Sequence, residues 1–252
     1  MLLPGLSTQQ AAALRRRGLH TRDQLARRLK KLGPGDPVFA ALPMAARAEL
    51  QYSPVSQILL AGASRLGRKL QECLYLKGGP RVGKSRIVTV GSARRGKPVM
   101  KDLDMLLILP DTSKRSAARS TGSNENFLGR IAVREKCRRS VKILTSYANG
   151  SRRRSFIIRY GRSTYRVDFF LAFDSERPYA LFHHTGSSQY NIRVRAHAKK
   201  RGWKLNQYGL FIAQGAPRHK QKRVPGTKKL HTEEELAKFL GITYRTPGDR
   251  SR

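Results

Sequence analysis

The chain contains 252 residues, and its 52 Lys and Arg against 16 Asp and Glu give a formal net charge of +36. A chain of this length can bury a substantial core, in one large domain or in roughly two to three small ones. Such an excess of positive charge excludes an ordinary, near-neutral surface and implies a polyanionic partner, most commonly nucleic acid.

The two cysteines, Cys73 and Cys137, are far apart and belong to no Cys-x-x-Cys or Cys/His spacing. The sequence therefore predicts neither a zinc site nor a disulfide framework, and a reducing compartment fits. The first apolar stretch is broken by Pro4 and Gly5, and no apolar run reaches membrane-spanning length. We expect a soluble, intracellular protein without a membrane partner.

The first sixty or so residues are predicted to be helical. A helix over residues 8–17 ends at Gly18, and Thr21 and Gln24 have capping-box spacing at the start of a second helix. Ahead of both lies a Leu-Pro-Gly turn with Gly5 and Ser7, similar to a helix-hairpin-helix element, whose backbone groups bind a nucleic-acid phosphate. Ser7 stands where the second Gly is usual, and a plain helical hairpin is the alternative.

Residues 78–85 spell the phosphate-binding loop of P-loop nucleotide hydrolases, GGPRVGKS. That loop works between a strand and a helix whose N-terminus points at the phosphates. Here the next residues, Arg86 to Val90, include β-branched residues typical of a strand. We therefore predict a basic loop leading into a strand rather than an ATPase site.

The segment around which the chain is organised runs from Gly91 to Leu109. Asp102 and Asp104 precede an apolar run and are spaced i, i+2, so both carboxylates face the same side of a strand and offer oxygen ligands to a metal. Upstream, Gly91 permits close backbone approach, Ser92 offers a hydroxyl and Arg95 a charged fork suited to a polyphosphate. The alternative is an edge strand with solvated carboxylates beside an ordinary basic loop.

A helix is predicted over residues 124–139, followed by a strand at residues 141–146 and then by a hairpin with a short Gly-containing turn. Arg152 to Arg154 are either a solvated loop or a phosphate contact. Asp168 is charged within an apolar strand and therefore requires a partner, for which a metal held by the two earlier carboxylates is suitable. Arg166 shares its face and could orient Asp168 or touch a primer phosphate.

The carboxy-terminal third contains a basic helix over residues 187–201, ended by Gly202, and a last helix capped by Thr232. Asn191 and Arg195 share a face of the basic helix because they are four residues apart. They either check a nascent base pair or are exposed polar residues.

Taken in order, these motifs resemble the family X DNA polymerases of the polymerase beta type, in their compact viral form. The residues that carry the resemblance are Gly91-Ser92, Arg95-Gly96, Asp102-Leu103-Asp104, Arg166-Val167-Asp168, Thr185-Gly186, Asn191 and Arg195. The resemblance implies an α+β fold: a helix-hairpin-helix domain over 1–63, a nucleotidyltransferase palm with a mixed β-sheet over 64–174, and an α+β fingers domain over 175–252. The amino-terminal lyase domain of polymerase beta is expected to be absent.

The resemblance also implies residue roles. Asp102 and Asp104 would hold two Mg²⁺ ions, for which Mn²⁺ could substitute, and Asp168 would hold the ion at the primer 3′-hydroxyl. Gly91, Ser92 and Arg95 would bind the phosphates of a dNTP. His183, Gly186, Asn191 and Arg195 would surround its sugar and base, and Gly5, Ser7 and Arg166 would contact DNA. His183-His184 stands where the family usually has Tyr-Phe.

The function expected from the resemblance is template-directed filling of short gaps in DNA repair by a monomeric DNA-directed DNA polymerase. Its partners would be dNTPs and DNA, as a gapped or nicked duplex or a primer-template. A viral protein of this kind would act in the virion or at the site of viral replication. The short hairpin turn argues against terminal transferases, which carry a long loop there. Template-independent nucleotidyl transfer and non-enzymatic DNA binding remain the alternatives.

Overall fold

The computed structural model describes residues 6–52, 57–77, 86–113, 127–213 and 221–251, which form an α+β structure. The α-helices are α1 (Thr8–Arg16), α2 (Arg22–Leu32), α3 (Pro37–Ala40), α4 (Met44–Gln51), α5 (Leu60–Cys73), α6 (Gly91–Arg94), α7 (Arg177–Thr185), α8 (Ser188–Lys200) and α9 (Glu233–Leu240). The strands are β1 (Ile58–Leu59), β2 (Leu74–Leu76), β3 (Ile87–Thr89), β4 (Val99–Met100), β5 (Leu103–Leu109), β6 (Ile131–Val133), β7 (Val141–Asn149), β8 (Arg153–Tyr160), β9 (Ser163–Phe173), β10 (Trp203–Asn206) and β11 (Gly209–Ile212).

Helices α1 to α4 pack around a small apolar cluster that includes Leu14, Leu25, Phe39 and Leu50. The hydroxyl of Thr21 accepts a hydrogen bond from the backbone N–H of Gln24 in a complete capping box, as their spacing predicted. Such boxes satisfy amides that a helix N-terminus leaves without intrahelical partners.

A five-stranded sheet in the order β3-β5-β9-β8-β7 forms the centre of the molecule. Strands β5 and β9 run parallel and the other neighbours are antiparallel, so the sheet is mixed. Along β5, Met105 and Leu107 enter the apolar cluster on one face, whereas Leu106 and Ile108 enter the cluster on the other. This two-sided burial explains why β5 is an unbroken apolar run.

The predicted hairpin is confirmed. Tyr160 pairs with Ser163 at its end, and the turn between them is only Gly161 and Arg162. Gly161 has φ +60°, a left-handed conformation that glycine adopts without a steric penalty. The turn therefore leaves no room for a long loop between β8 and β9.

The helix predicted over residues 124–139 is wrong for the part that the structure describes. Short 3₁₀ helices, Phe127–Arg130 and Glu135–Cys137, flank the strand β6 instead. Strand β6 pairs with β2, which lies more than fifty residues earlier in the chain. The β-branched residues of this segment gain more from that pairing than from a helix, and local periodicity does not reveal so distant a partner.

The cysteine prediction is also wrong, because Cys73 and Cys137 form a disulfide with Cα atoms 5.5 Å apart. Cys73 ends α5, Cys137 ends a 3₁₀ helix, and both are buried. Their sequence separation of 64 residues is the reason that spacing gave no indication of the bond.

The carboxy-terminal region combines α7, α8 and α9 with the β10–β11 hairpin around a cluster that includes Tyr179, Val194 and Leu236. Helix α8 is capped by Ser187, close to the predicted start, and Thr232 caps α9 in a complete capping box. The domain boundaries drawn from the sequence remain predictions. None of the described helices is both long and apolar enough to cross a membrane.

The sequence that resembles a P-loop, residues 78–85, lies outside the described residues. The segment that follows it does form the predicted strand, β3.

Candidate active site

Three carboxylates meet at the start of β5. Asp102 directly precedes this strand, Asp104 is its second residue, and Asp168 on β9 is the register partner of Asp104. Paired residues on neighbouring strands face the same side of a sheet, as do residues two apart on one strand. The fold therefore brings together on one face the three acidic residues that the sequence singled out.

Their electrostatics reflect crowding. Burial, together with the charges of Asp102 and Asp168, raises the pKa of Asp104 to about 7, although Arg153 and Arg95 oppose the shift. Burial and the charge of Asp168 likewise raise the pKa of Asp102. Like charges that share a site disfavour simultaneous ionisation, and a bound cation would relieve this repulsion.

The donor set fits a hard divalent cation, because it consists of carboxylate oxygens on adjacent, rigid strands. In the conformation described, however, no three Asp, Glu, His or Cys side chains among the described residues are arranged to hold a metal ion. A cationic side chain is part of the cluster instead: Arg153 Nη2 donates to Asp168 Oδ2 over 2.6 Å.

The expectation that Arg166 orients Asp168 is wrong for this structure. Arg166 donates from Nη1 to Glu49 of α4 and from Nη2 to the Lys101 carbonyl oxygen, both over 3.4 Å. The pair with Asp168 is made by Arg153. Strand register explains the error, because Ser155 lies opposite Asp168 and only that alignment reveals that Arg153 shares its face.

Gly91 begins α6 directly against the carboxylates. It has φ +63°, and a Cβ added at this position would lie 1.9 Å from Asp104 Oδ2. Two independent constraints, backbone conformation and space, therefore require glycine here. They bring the Ser92 turn close to the acidic cluster.

Arg95, at the C-terminal end of α6, donates from Nη1 to the Thr185 carbonyl oxygen and from Nε to Ser251 Oγ over 3.1 Å. Burial lowers the pKa of Arg95, and the charge of Asp104 opposes this shift. The neighbouring Arg94 donates to Glu233 Oε2 over 2.5 Å. Both arginines thus join the α6 turn to the carboxy-terminal region.

A cavity of about 590 Å³ opens between the carboxylates and helices α7 and α8. It is lined by Gly91, Ser92, Arg95, Asp102, Asp104, Phe170, His183, His184, Gly186, Ser188, Asn191, Ile192 and Arg195. All seven residues that the sequence assigns to nucleotide binding belong to this lining. The lining combines two acidic side chains with cationic and amide side chains, a combination suited to a metal-bound polyanion.

Helices α7 and α8 are joined by side chains at the cavity wall. Asn191 donates from Nδ2 to the His183 carbonyl oxygen over 2.7 Å, and Arg195 Nη2 lies 2.5 Å from His183 Nδ1. Asn191 and Arg195 therefore share a face, as predicted. Asn191 Oδ1 is buried and has no hydrogen-bond partner among the described residues.

His184 stacks on Phe170 of β9, with ring centroids 4.1 Å apart and an interplanar angle of 24°. Burial, followed by the charges of His183 and Arg153, lowers the pKa of His184 to about 3. His184 is therefore neutral at physiological pH and acts as a flat ring on the cavity wall. Its stacking with Phe170 could not be read from the sequence, since the two residues lie on different elements.

The residues assigned to DNA contact are less informative. Gly5 lies outside the described residues. The hydroxyl of Ser7 accepts a hydrogen bond from the backbone N–H of Gln10 and caps α1. Arg166 donates to Glu49 and to the Lys101 carbonyl oxygen, as described above.

The chain is similar in sequence to known DNA polymerases. Residues 180–251 match the family model described as DNA polymerase beta thumb. The chain is 39% identical over 164 residues to the repair DNA polymerase X of African swine fever virus, which covers 65% of this chain and 80% of the viral protein. It is 27% identical over 176 residues to DNA polymerase lambda of Arabidopsis thaliana, covering 66% of this chain and 32% of the plant protein.

The fold is similar to that of Leishmania infantum polymerase beta in a ternary gap complex. That similarity has a TM-score of 0.72 at 21% identity and covers 99% of this chain and 87% of the other. The α+β class with a mixed central sheet, predicted from the sequence, is thereby confirmed. From the extent of its identity to the viral enzyme, together with this fold, the chain belongs to the family X DNA polymerases.

Proposed function

We propose that this polymerase fills short gaps in DNA during repair, by template-directed transfer of a nucleotidyl group from a dNTP to a primer 3′-hydroxyl. The observation that carries the proposal is the juxtaposition of Asp102, Asp104 and Asp168 beside the cavity. The printed descriptions of its relatives, a repair polymerase and a polymerase in a gap complex, support the choice of substrate.

Family X polymerases need a divalent metal, and Asp102, Asp104 and Asp168 are the residues that would hold it here. We assign both Mg²⁺ ions to Asp102 and Asp104 and the ion nearest the primer to Asp168 as well, with Mn²⁺ as a possible substitute. When bound, two such ions activate the attacking hydroxyl and offset charge on the leaving pyrophosphate. Asp104, with its pKa raised to about 7, would ionise fully in their presence.

The phosphates of the dNTP would lie against Gly91, Ser92 and Arg95. Arg95 would exchange the Thr185 carbonyl for phosphate oxygens, which are stronger acceptors because they are charged. A fixed cation near the transferred phosphoryl group stabilises the transition state by electrostatics and positioning.

The sugar and base would lie against His183, Gly186, Asn191 and Arg195, which also line the cavity. The side chains of Asn191 and Arg195 would face the nascent base pair. His184 would form the wall near the sugar, where the family usually has an aromatic residue. DNA would lie over the helical domain, with Gly5, Ser7 and Arg166 as contacts, and the enzyme would act as a monomer.

Primer extension on a gapped duplex with Mg²⁺ tests the proposal, compared with a single strand and with ribonucleotides. We expect Asp102→Ala, Asp104→Ala and Asp168→Ala each to abolish incorporation while binding of the gapped duplex, measured by fluorescence anisotropy, is largely kept. Asp174→Ala is the matched control, because Asp174 is an exposed acid just after β9 that pairs with Arg86. This variant should extend primers normally.

Each alternative has its own outcome in this experiment. Equal extension of a single strand would favour template-independent transfer, which the two-residue turn between β8 and β9 argues against. Binding without any incorporation would favour a non-enzymatic DNA-binding protein. Retained turnover in Asp168→Ala would contradict the metal role of that residue.

A further inference from the structure

Arg153 contacts the acidic cluster, and the resemblance to family X polymerases assigned this arginine no role. Its Nη2 donates to Asp168 Oδ2 over 2.6 Å. Its charge also opposes the rise in pKa of both Asp102 and Asp104, so it acts on all three carboxylates. Burial lowers the pKa of Arg153, but the Asp168 carboxylate, together with Asp104 and Tyr147, offsets this, and the pKa of Arg153 is raised.

Arg166 and Arg95 also lower the pKa values of Asp102 and Asp104, respectively, through their charges, but they make their hydrogen bonds elsewhere. Arg166 donates to Glu49 and Lys101, and Arg95 donates to Thr185 and Ser251. Among the described residues, Arg153 is thus the arginine that donates a hydrogen bond to one of the three carboxylates. A divalent ion bound to Asp168 would compete with it for the same oxygen atoms.

The two partners differ in exposure. The Asp168 side chain is 8% exposed, whereas that of Arg153 is 58% exposed. Asp168 is fixed in the central sheet. Arg153 lies at the start of β8, where its register partner on β9 is Phe170 and not Asp168. Its side chain therefore reaches along the sheet to Asp168. The Phe170 ring, 5.7 Å from the guanidinium carbon, offers a nearby surface on which a displaced guanidinium could remain.

We propose that Arg153 is a positioning residue that holds Asp168 in the metal-free enzyme and must release it when a metal ion binds. The metal ion then replaces Arg153 as the partner of Asp168, and the strength of the Arg153–Asp168 pair sets the affinity of the free enzyme for the ion. The inference rests on the proposed function, because it takes the three carboxylates as the metal ligands. It makes Arg153 a competitor of the metal rather than a group that acts on the substrate.

Direct metal binding tests the inference without reference to turnover. Mn²⁺ alone is titrated into the full chain, without DNA or nucleotide, and free Mn²⁺ is measured by electron paramagnetic resonance. We expect Arg153→Gln to bind Mn²⁺ about fivefold more tightly than the wild type, since a partly exposed ion pair contributes up to about 1 kcal/mol. Arg153→Lys keeps the positive charge and should stay within about twofold of the wild type.

Arg159→Gln is the matched control. Arg159 is an exposed arginine near the far end of the same strand, so its removal changes net charge equally without touching the cluster. Its Mn²⁺ affinity should equal that of the wild type. If Arg159→Gln tightened Mn²⁺ binding as much as Arg153→Gln, the effect would be one of net charge and the inference would be overturned.

Thermal unfolding supplies a second measurement. In EDTA, Arg153→Gln should melt about 2–4 °C below the wild type, because three crowded carboxylates lose a neighbouring cation. Adding Mg²⁺ should raise the melting temperature of this variant more than that of the wild type. Unchanged or weaker Mn²⁺ binding in Arg153→Gln would overturn the inference.

Asp168→Asn separates failure of the inference from failure of the proposed function. If the wild type binds Mn²⁺ and Asp168→Asn does not, the carboxylate site is real, and an unchanged Arg153→Gln would then overturn only the role of Arg153. If Mn²⁺ binding does not depend on Asp168, the proposed metal site fails and the inference fails with it.

Discussion

At the scale of single residues, Gly91 decides how closely the α6 turn approaches the carboxylates. In Gly91→Ala the new Cβ would fall 1.9 Å from Asp104 Oδ2, so either the turn or the carboxylate must move. A displacement of about 1 Å in a catalytic group can cost about a hundredfold in rate, and we expect a loss of that order in primer extension.

Gly96→Ala provides the control for this prediction. Gly96 also has a positive φ, +73°, but an added Cβ would meet nothing within 4 Å. This substitution should cost about 1 kcal/mol of stability through backbone strain and leave incorporation nearly intact. Equal activities in the two variants would contradict the requirement for close approach at Gly91.

A second residue-scale prediction concerns His184 and pH. Its pKa is about 3 in the folded protein and 6.5 by its ordinary value, so the unfolded chain binds a proton that the folded protein does not. Stability is therefore lost as pH falls below about 6.5. By linkage, this one imidazole destabilises the fold by about 1–2 kcal/mol at pH 5 relative to pH 8.

His184→Phe removes the titration and keeps a ring that can stack on Phe170. We expect the melting temperature of this variant to fall less between pH 8 and pH 5 than that of the wild type, by about 2–5 °C. Parallel pH profiles for the two proteins would contradict a neutral, half-buried His184. Ribonucleotide incorporation by the same variant would show whether this ring contributes to sugar selection.

At the scale of elements, Glu233 at the start of α9 joins three parts of the chain. It accepts hydrogen bonds from Arg94 of α6 over 2.5 Å and from the fully buried Arg250 over 2.8 Å. Glu233→Gln would leave Arg250 buried without its counter-charge, at a cost of about 3–5 kcal/mol in the free energy of unfolding.

Denaturant unfolding measures this effect. The exposed neighbour Glu234 is the matched control, because Glu234→Gln removes the same charge one residue along α9. A similar loss of stability in both variants would mean that Glu233 acts only through general charge. A loss confined to Glu233→Gln would support its role in joining α6 and α9.

Elements defined by local chemistry could be predicted from the sequence. The capping residues Thr21 and Thr232 begin the helices expected of them, because a capping box needs only residues three positions apart. The element at residues 131–133 could not be predicted, since its partner β2 is remote in sequence. The Cys73–Cys137 bond was missed for the same reason.

The same distinction holds at the site. Asp102 and Asp104 were visible because two residues on one strand suffice to define a shared face. Asp168 could be added because a charge in an apolar strand needs a partner. Arg153 could not be distinguished from Arg152 and Arg154, because the role of each depends on strand register and on its partner, which is Glu176 for Arg152, Asp168 for Arg153 and the Ser146 hydroxyl for Arg154.

At the scale of the whole molecule, the net charge of +36 should govern affinity for DNA. Each phosphate neutralised contributes about 0.9 to the slope of log affinity against log salt concentration, so about five contacts would give a slope near −4.5. Fluorescence anisotropy of a labelled gapped duplex over a salt series measures it. A flat response would contradict a binding mode based on phosphate contacts.

The Asp168→Asn variant is the control for this measurement. It removes a carboxylate from the candidate metal site but adds no phosphate contact, so the salt slope measured in EDTA should not change. A changed slope would mean that the acidic cluster itself takes part in holding the duplex.

The disulfide also determines the covalent connectivity of the molecule. It makes a closed ring of the chain between Cys73 and Cys137, which contains Asp102 and Asp104 but not Asp168. If a protease cuts the backbone once inside this ring, the disulfide keeps the two pieces joined as one molecule of the same mass on a denaturing gel. Adding a reductant separates them into two fragments. A single band on a non-reducing gel therefore does not show that the backbone between Cys73 and Cys137, which carries Asp102 and Asp104, is intact.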